Sequence, residues 1–135
     1  MRIVNVSRLQ ERDDFGKFRS TYDIYVSSEK SFSDITSSDV SYSFFDNFLD
    51  LKNYIKEEKL GSISELCDLA ALDDSLNRIE ERLSKLMAVY ALTTTIDEEG
   101  IFIELYDDLE ANPLKESRKI NQIEKFITKL EKKRS

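Results

Sequence analysis

The chain has 135 residues, 40% hydrophobic and 35% charged, with a formal net charge of −7, one cysteine, three glycines and no histidine. That length and apolar content suffice for one domain with its own core, and the lack of histidine removes the usual acid–base group near neutral pH and the usual nitrogen ligand for transition metals. Gly16, Gly61 and Gly100 stand too far apart for a phosphate-cradling loop, and a lone Cys67 forms no internal disulfide, so the expected setting is a reducing cytoplasm.

Arg2 to Arg8 is rich in β-branched residues and reads as a strand. Beyond the turn-prone Asp13, Asp14, Phe15 and Gly16, a second strand places Phe18, Tyr22, Ile24 and Val26 on one face and Lys17, Arg19, Thr21 and Asp23 on the other. The two form a β-hairpin. Residues 28–38 are dominated by serine and read as a mobile loop. Val40, Tyr42 and Phe44 then alternate with Ser41 and Ser43, which suits a further strand with a polar face, with a helix from Asp39 as the alternative.

Asp46 can cap a helix running to about Lys59, with Phe48, Leu49, Leu51 and Ile55 as its buried stripe and Gly61 as its stop. A capping box at Ser62, Ile63, Ser64 and Glu65 opens the next helix, in which serine and glutamate each satisfy the other's amide. Leu69, Leu72, Leu76, Ile79, Leu83, Leu86 and Tyr90 recur along it at alternating spacings of three and four. Such a stripe either packs on the sheet, the usual fate of an amphipathic helix, or forms an oligomer seam through Leu76, Ile79, Leu83, Leu86 and Tyr90. A helix that long would outreach the domain unless Asp73, Asp74 and Ser75 break it.

Residues 91–96 are rich in threonine, Asp97 to Gly100 form a polar turn, and Ile101, Ile103 and Leu105 alternate with Phe102, Glu104 and Tyr106, a second hairpin. Asn112 and Pro113 resemble a cap with proline in the first helical position, opening a last helix to about Lys132 with Ile120, Ile123, Ile127 and Leu130 as its stripe. The expected fold is therefore α+β: an antiparallel sheet of two hairpins with a fifth strand as an option, three helices on one face, and a single domain over residues 1–135.

Charge is unevenly spread. Residues 1–114 hold 12 Lys/Arg against 24 Asp/Glu, whereas residues 115–135 hold 8 against 3, with residues 131–135 read as a basic tail. The densest acidic stretch comprises Asp97, Glu98, Glu99, Glu104, Asp107, Asp108 and Glu110. Placed on a hairpin and its connector, these carboxylates could cover a basic site on another protein, or serve as a solvated turn that keeps the chain soluble. Divalent cations also favour oxygen-rich loops, but no twelve-residue calcium loop with its central glycine is present, and no metal site is expected.

Paired carboxylates can catalyse without histidine, yet Asp13 with Asp14 and Asp73 with Asp74 are sequence neighbours, whereas a catalytic pair must flank its substrate from separate elements. Cys67 has no histidine to activate it. Neither an enzyme nor a cofactor is expected. Direct nucleic-acid binding is not expected either, because the chain is acidic overall and no aromatic residues interleave its terminal cations. Met1 to Val6 lacks a signal peptide's apolar run, and no stretch reaches the length of a membrane span.

These features support a small cytoplasmic protein-binding module, an inhibitor or immunity-type protein that uses its acidic hairpin against a basic partner. The alternatives are a homodimeric or larger secretion-chaperone-like or assembly protein holding an extended client segment, and a small-ligand binder at an oligomer interface using Tyr22, Tyr25, Arg8, Arg12 or Arg19.

Overall fold

A computed structural model describes residues 2–27, 40–58, 60, 69–97, 99–108 and 112–134. The class is α+β, as the sequence predicts, with six strands where the sequence suggests five: β1 (Arg2–Arg12), β2 (Phe18–Ser27), β3 (Val40–Phe45), α1 (Phe48–Glu57), α2 (Leu69–Leu83), β4 (Ala91–Asp97), β5 (Gly100–Tyr106), β6 (Lys115–Ser117) and α3 (Ile120–Arg134). The strands form one antiparallel sheet in the order β3-β2-β1-β4-β5-β6.

The first hairpin closes through Asp13, whose Oδ1 accepts from the amides of Phe15 and Lys17 while its carbonyl accepts from Gly16. Gly16 has φ +80°, a backbone conformation costly for a residue with a Cβ. The second turn repeats the device, with Asp97 Oδ1 accepting from the amide of Glu99 and Gly100 at φ +110°. Between the hairpins, β1 pairs with β4 from Val6↔Ile96 to Glu11↔Ala91, which merges them into one sheet. A bulge between Ile3 and Asn5 resets the alternation at the start of β1.

One sheet face carries the helices. Tyr22, Ile24 and Val26 with Ile3 and Val6 form a buried cluster with Leu51, against which Phe45, Phe48, Tyr54 and Ile55 pack. A second cluster joins Leu72, Leu76, Ile79 and Leu83 of α2 to Leu92, Ile96, Ile103 and Leu105 of the sheet and to Ile123 and Ile127 of α3. An ion pair from Arg82 to Glu131, with an Arg82 Nη2 to Thr128 Oγ1 bond of 3.0 Å, ties α2 to α3.

Several expectations are corrected. α1 is capped by Asn47, whose side chain accepts from the Asp50 amide, so Asp46 lies outside the cap, and Leu49 is 63% exposed because the helix turns it away from the sheet. α2 passes unbroken through Asp73, Asp74 and Ser75 but ends at Leu83, so the stripe does not continue as helix to Tyr90. Leu76, Ile79, Leu83 and Leu86 are at most 4% exposed within this chain's own core, which leaves Tyr90, 37% exposed, as the one seam residue with outward surface. Asn112 and Pro113 do not open a helix; they precede β6, and α3 starts at Ile120 behind Ser117, whose Oγ accepts from the Lys119 amide. Residues 131–134 are the last turn of α3, with no separate tail among them. The serine-rich segment 28–38, the capping box and Cys67 lie outside the described residues.

Candidate functional site

The helix-bearing face of β1 is polar where a core strand would ordinarily be apolar. Arg8, Gln10 and Arg12 point inward at 5%, 0% and 9% exposure, between the two apolar clusters. Arg8 is held by Asp73 Oδ1, with Nε at 3.0 Å, and its Nη2 donates to Asn77 Oδ1 at 2.6 Å. Tyr22 donates its hydroxyl proton to the same Asp73 oxygen at 2.5 Å. Burial and that bond push the Tyr22 phenol up to about 12, so it stays a proton donor at neutral pH. Gln10 Nε2 donates to Glu80 Oε2 at 2.8 Å.

Among the described residues Arg12 has no carboxylate partner; its guanidinium donates to the carbonyls of Val89 and Gly16 at 2.8 Å each, Leu83 at 2.7 Å and Leu86 at 2.6 Å. It also lies 4.3 Å from the centroid of the Phe18 ring. Burial pushes its pKa down from the ordinary arginine value. A cavity of about 20 Å³ borders Arg8, Tyr22, Asp73 and Thr94, room for about one water. Arg12 is thus committed to internal bonds, Arg8 keeps one buried nitrogen, Nη1, without a partner among the described residues, and Arg19 is ion-paired to Asp13 at 2.8 Å.

Among the described residues the opposite sheet face carries no helix. Strand alternation brings Glu11 of β1, Asp23 of β2, Asp97 of β4, Glu104 of β5 and Glu116 of β6 to this side. Glu104 and Glu116 are directly cross-strand partners. Tyr25 and Tyr42 pair on the same face with ring centroids 5.2 Å apart, and Tyr42 donates to Asp23 Oδ1 at 2.6 Å. Tyr106 donates to Glu104 Oε2 at 2.7 Å and Thr93 to its other oxygen at 3.3 Å. These bonds hold both phenols near 12. Tyr42 and Phe44 are 54% and 50% exposed. The apolar side of β3 therefore faces away from the helices, since its register pairs Tyr42 with Tyr25 and sets Ser43 opposite Ile24 on the inner face.

The acidic set read from the sequence does not form one cluster. Asp97 and Glu99 lie at one end of the β4–β5 hairpin, with Glu99 ion-paired to Arg118 at 3.0 Å; Glu104 lies on the strand; exposed Asp107 and Asp108 lie at the other end. Glu98 and Glu110 are outside the described residues. Glu11, Asp23 and Glu116 join the face from other strands, and only their period-two alternation in the sequence hinted at it. Among the described residues no group of three or more His, Cys, Asp or Glu side chains is arranged to hold a metal ion, and no helix is long and apolar enough to cross a membrane. No family model, curated protein or solved structure matches the chain.

Proposed function

We propose that the chain is a non-catalytic protein-binding module, an inhibitor or immunity-type protein of a reducing cytoplasm, that lays the helix-free face of its sheet on a basic site of a partner protein. One observation carries this reading. Glu104 and Glu116 face each other across β5 and β6, an arrangement that costs the fold stability, and three further carboxylates share the face with exposed aromatic rings. Like charges kept in this position suit a basic partner, which relieves their repulsion on binding while the rings add apolar area and cation–π attraction. Of the cations on this side, Arg19 and Arg118 are ion-paired to Asp13 and Glu99, and exposed Lys17 stands at the turn before β2.

The test starts from the partner captured by affinity purification, with its affinity measured at two salt concentrations. Glu116→Lys should raise stability by a few tenths of a kcal/mol, since it turns a repulsive cross-strand pair into an attractive one. The double change Glu104→Lys with Glu116→Lys should weaken partner binding about tenfold or more at low salt and less at high salt. Equal affinity of parent and double variant at low salt would sink the reading.

A further inference from the structure

The sheet end at which β1 turns into β2 gathers three connections. The turn 13–17 lies there, and the pairings Glu11↔Ala91 and Ala91↔Tyr106 bring the segment 84–90 and the start of the β5–β6 connection to the same end. Arg12 binds the first two together, donating to Gly16 on one side and to Leu83, Leu86 and Val89 on the other. The third is fixed by the bonds Tyr90 N–H to Tyr106 O and Leu114 N–H to Leu105 O, both 2.7 Å.

This end exposes large apolar side chains. Phe15 is 89% exposed, Met87 77%, Leu114 38% and Tyr90 37%, four of the seven exposed large hydrophobics among the described residues. Apolar side chains gathered on well-anchored loops mark an interaction surface more than a solvated edge.

The charges around them divide by layer. The sheet-layer connections contribute exposed Asp14 and Lys17 from one turn and exposed Asp107 and Asp108 from the other, so the acidic flank centres on Asp107 and its neighbour. In the helix layer, Lys85 follows α2, and α3 runs alongside α2 with Glu131 beside Arg82, so its last turn brings exposed Lys133 to the same end. Lys85 acts on the Glu131 carboxyl, which places that cation beside the end of α3. An apolar centre with an acidic flank on one side and a basic flank on the other is complementary to itself under a two-fold rotation. A uniformly basic partner would meet the helix-layer cations here, which is not so on the helix-free face.

We propose that this loop end is the contact surface of a symmetric homodimer, with Phe15 and Met87 of one copy packed against those of a second copy and the acidic flank of each facing the basic flank of the other. The inference goes beyond the partner reading and uses a different surface.

Sedimentation equilibrium over a range of protein concentrations tests it on the intact chain. The parent should dissociate from dimer to monomer on dilution. Phe15→Ser with Met87→Ser should give a monomer with unchanged circular dichroism and melting temperature, because neither side chain belongs to the core. Asp107→Lys and Lys85→Glu should each weaken the dimer several-fold, and combining them should restore it. A parent that stays monomeric at every concentration, a double serine variant that dimerises as the parent does, or charge variants without effect would each overturn the proposal. None of these outcomes alters the helix-free face, so they leave the partner reading to its own test.

Discussion

Arg12 stands in the sequence between Glu11 and Asp13, and nothing there distinguishes it from the exposed Arg19. In the fold it is a buried cation whose charge is met by four carbonyl oxygens, among them that of Leu83 at the C-terminal end of α2, where the helix dipole favours a positive charge. Replacing it with methionine keeps the unbranched stem as far as the position of Nε but strands several buried acceptors at once. Arg12→Met should therefore lower stability by about 3 kcal/mol in urea titration. Arg12→Lys should recover only part of the loss, because an ammonium is a compact charge without the planar fork that reaches carbonyls on two sides. A loss below about 0.5 kcal/mol, the usual range for surface changes, would show that the segment 84–90 is held by other means. Charged residues inside a strand that alternates inward are the hardest feature to read from a sequence, since polarity alone assigns them to solvent.

At the scale of elements, legibility followed periodicity. The hairpin β4–β5 and the faces of β2 were readable because alternation with a two-residue period and aspartate–glycine turns are local signals. α2 was readable in its register but not in its end, since Leu86 continues the spacing of three and four while lying in a connection, held by Arg12 some seventy positions earlier. β6 was missed because three residues are too few for a pattern, and Asn112 with Pro113 imitated a helix start. Leu83, at 0% exposure between α2, the sheet and α3, tests the internal packing of the stripe. Leu83→Asp should unfold the chain, because an unpaired carboxylate there has no route to water. A folded monomer by circular dichroism and light scattering would instead return the stripe to the role of an intermolecular seam.

Across the whole molecule, α+β class was legible from the order of elements, whereas the proposed binding face was not. The run of carboxylates at 97–110 invites reading as one cluster, yet the hairpin sets Asp97 and Glu99 at one end and Asp107 and Asp108 at the other, and the face acquires Glu11, Asp23 and Glu116 from elsewhere in the chain. Proximity in sequence and proximity in a sheet are different quantities, and only the strand order converts one to the other.

The polar face of β1 bears on how the chain folds. One apolar cluster is drawn from residues 3–60, and the buried members of the other come from residues 72–127, so each half can assemble from contacts close in sequence. The two meet where β1 pairs with β4, as in Glu11↔Ala91, eighty positions apart, and where Arg8, Gln10 and Arg12 bond to α2 and the segment after it. Closing so long a loop costs entropy before any bond across it forms, which makes the meeting of the halves the slow step. Because that junction is built from directional bonds in place of interchangeable apolar contacts, the halves gain little from docking in a shifted register. Stopped-flow refolding should find that Ile127→Val, inside a half already built at the slow step, slows folding and leaves unfolding little changed, while Gln10→Ala, whose bond to Glu80 closes as the halves dock, mainly speeds unfolding. The reverse pattern would mean that the halves do not form first, and that β1 and β4 find each other while the rest of the chain is still open.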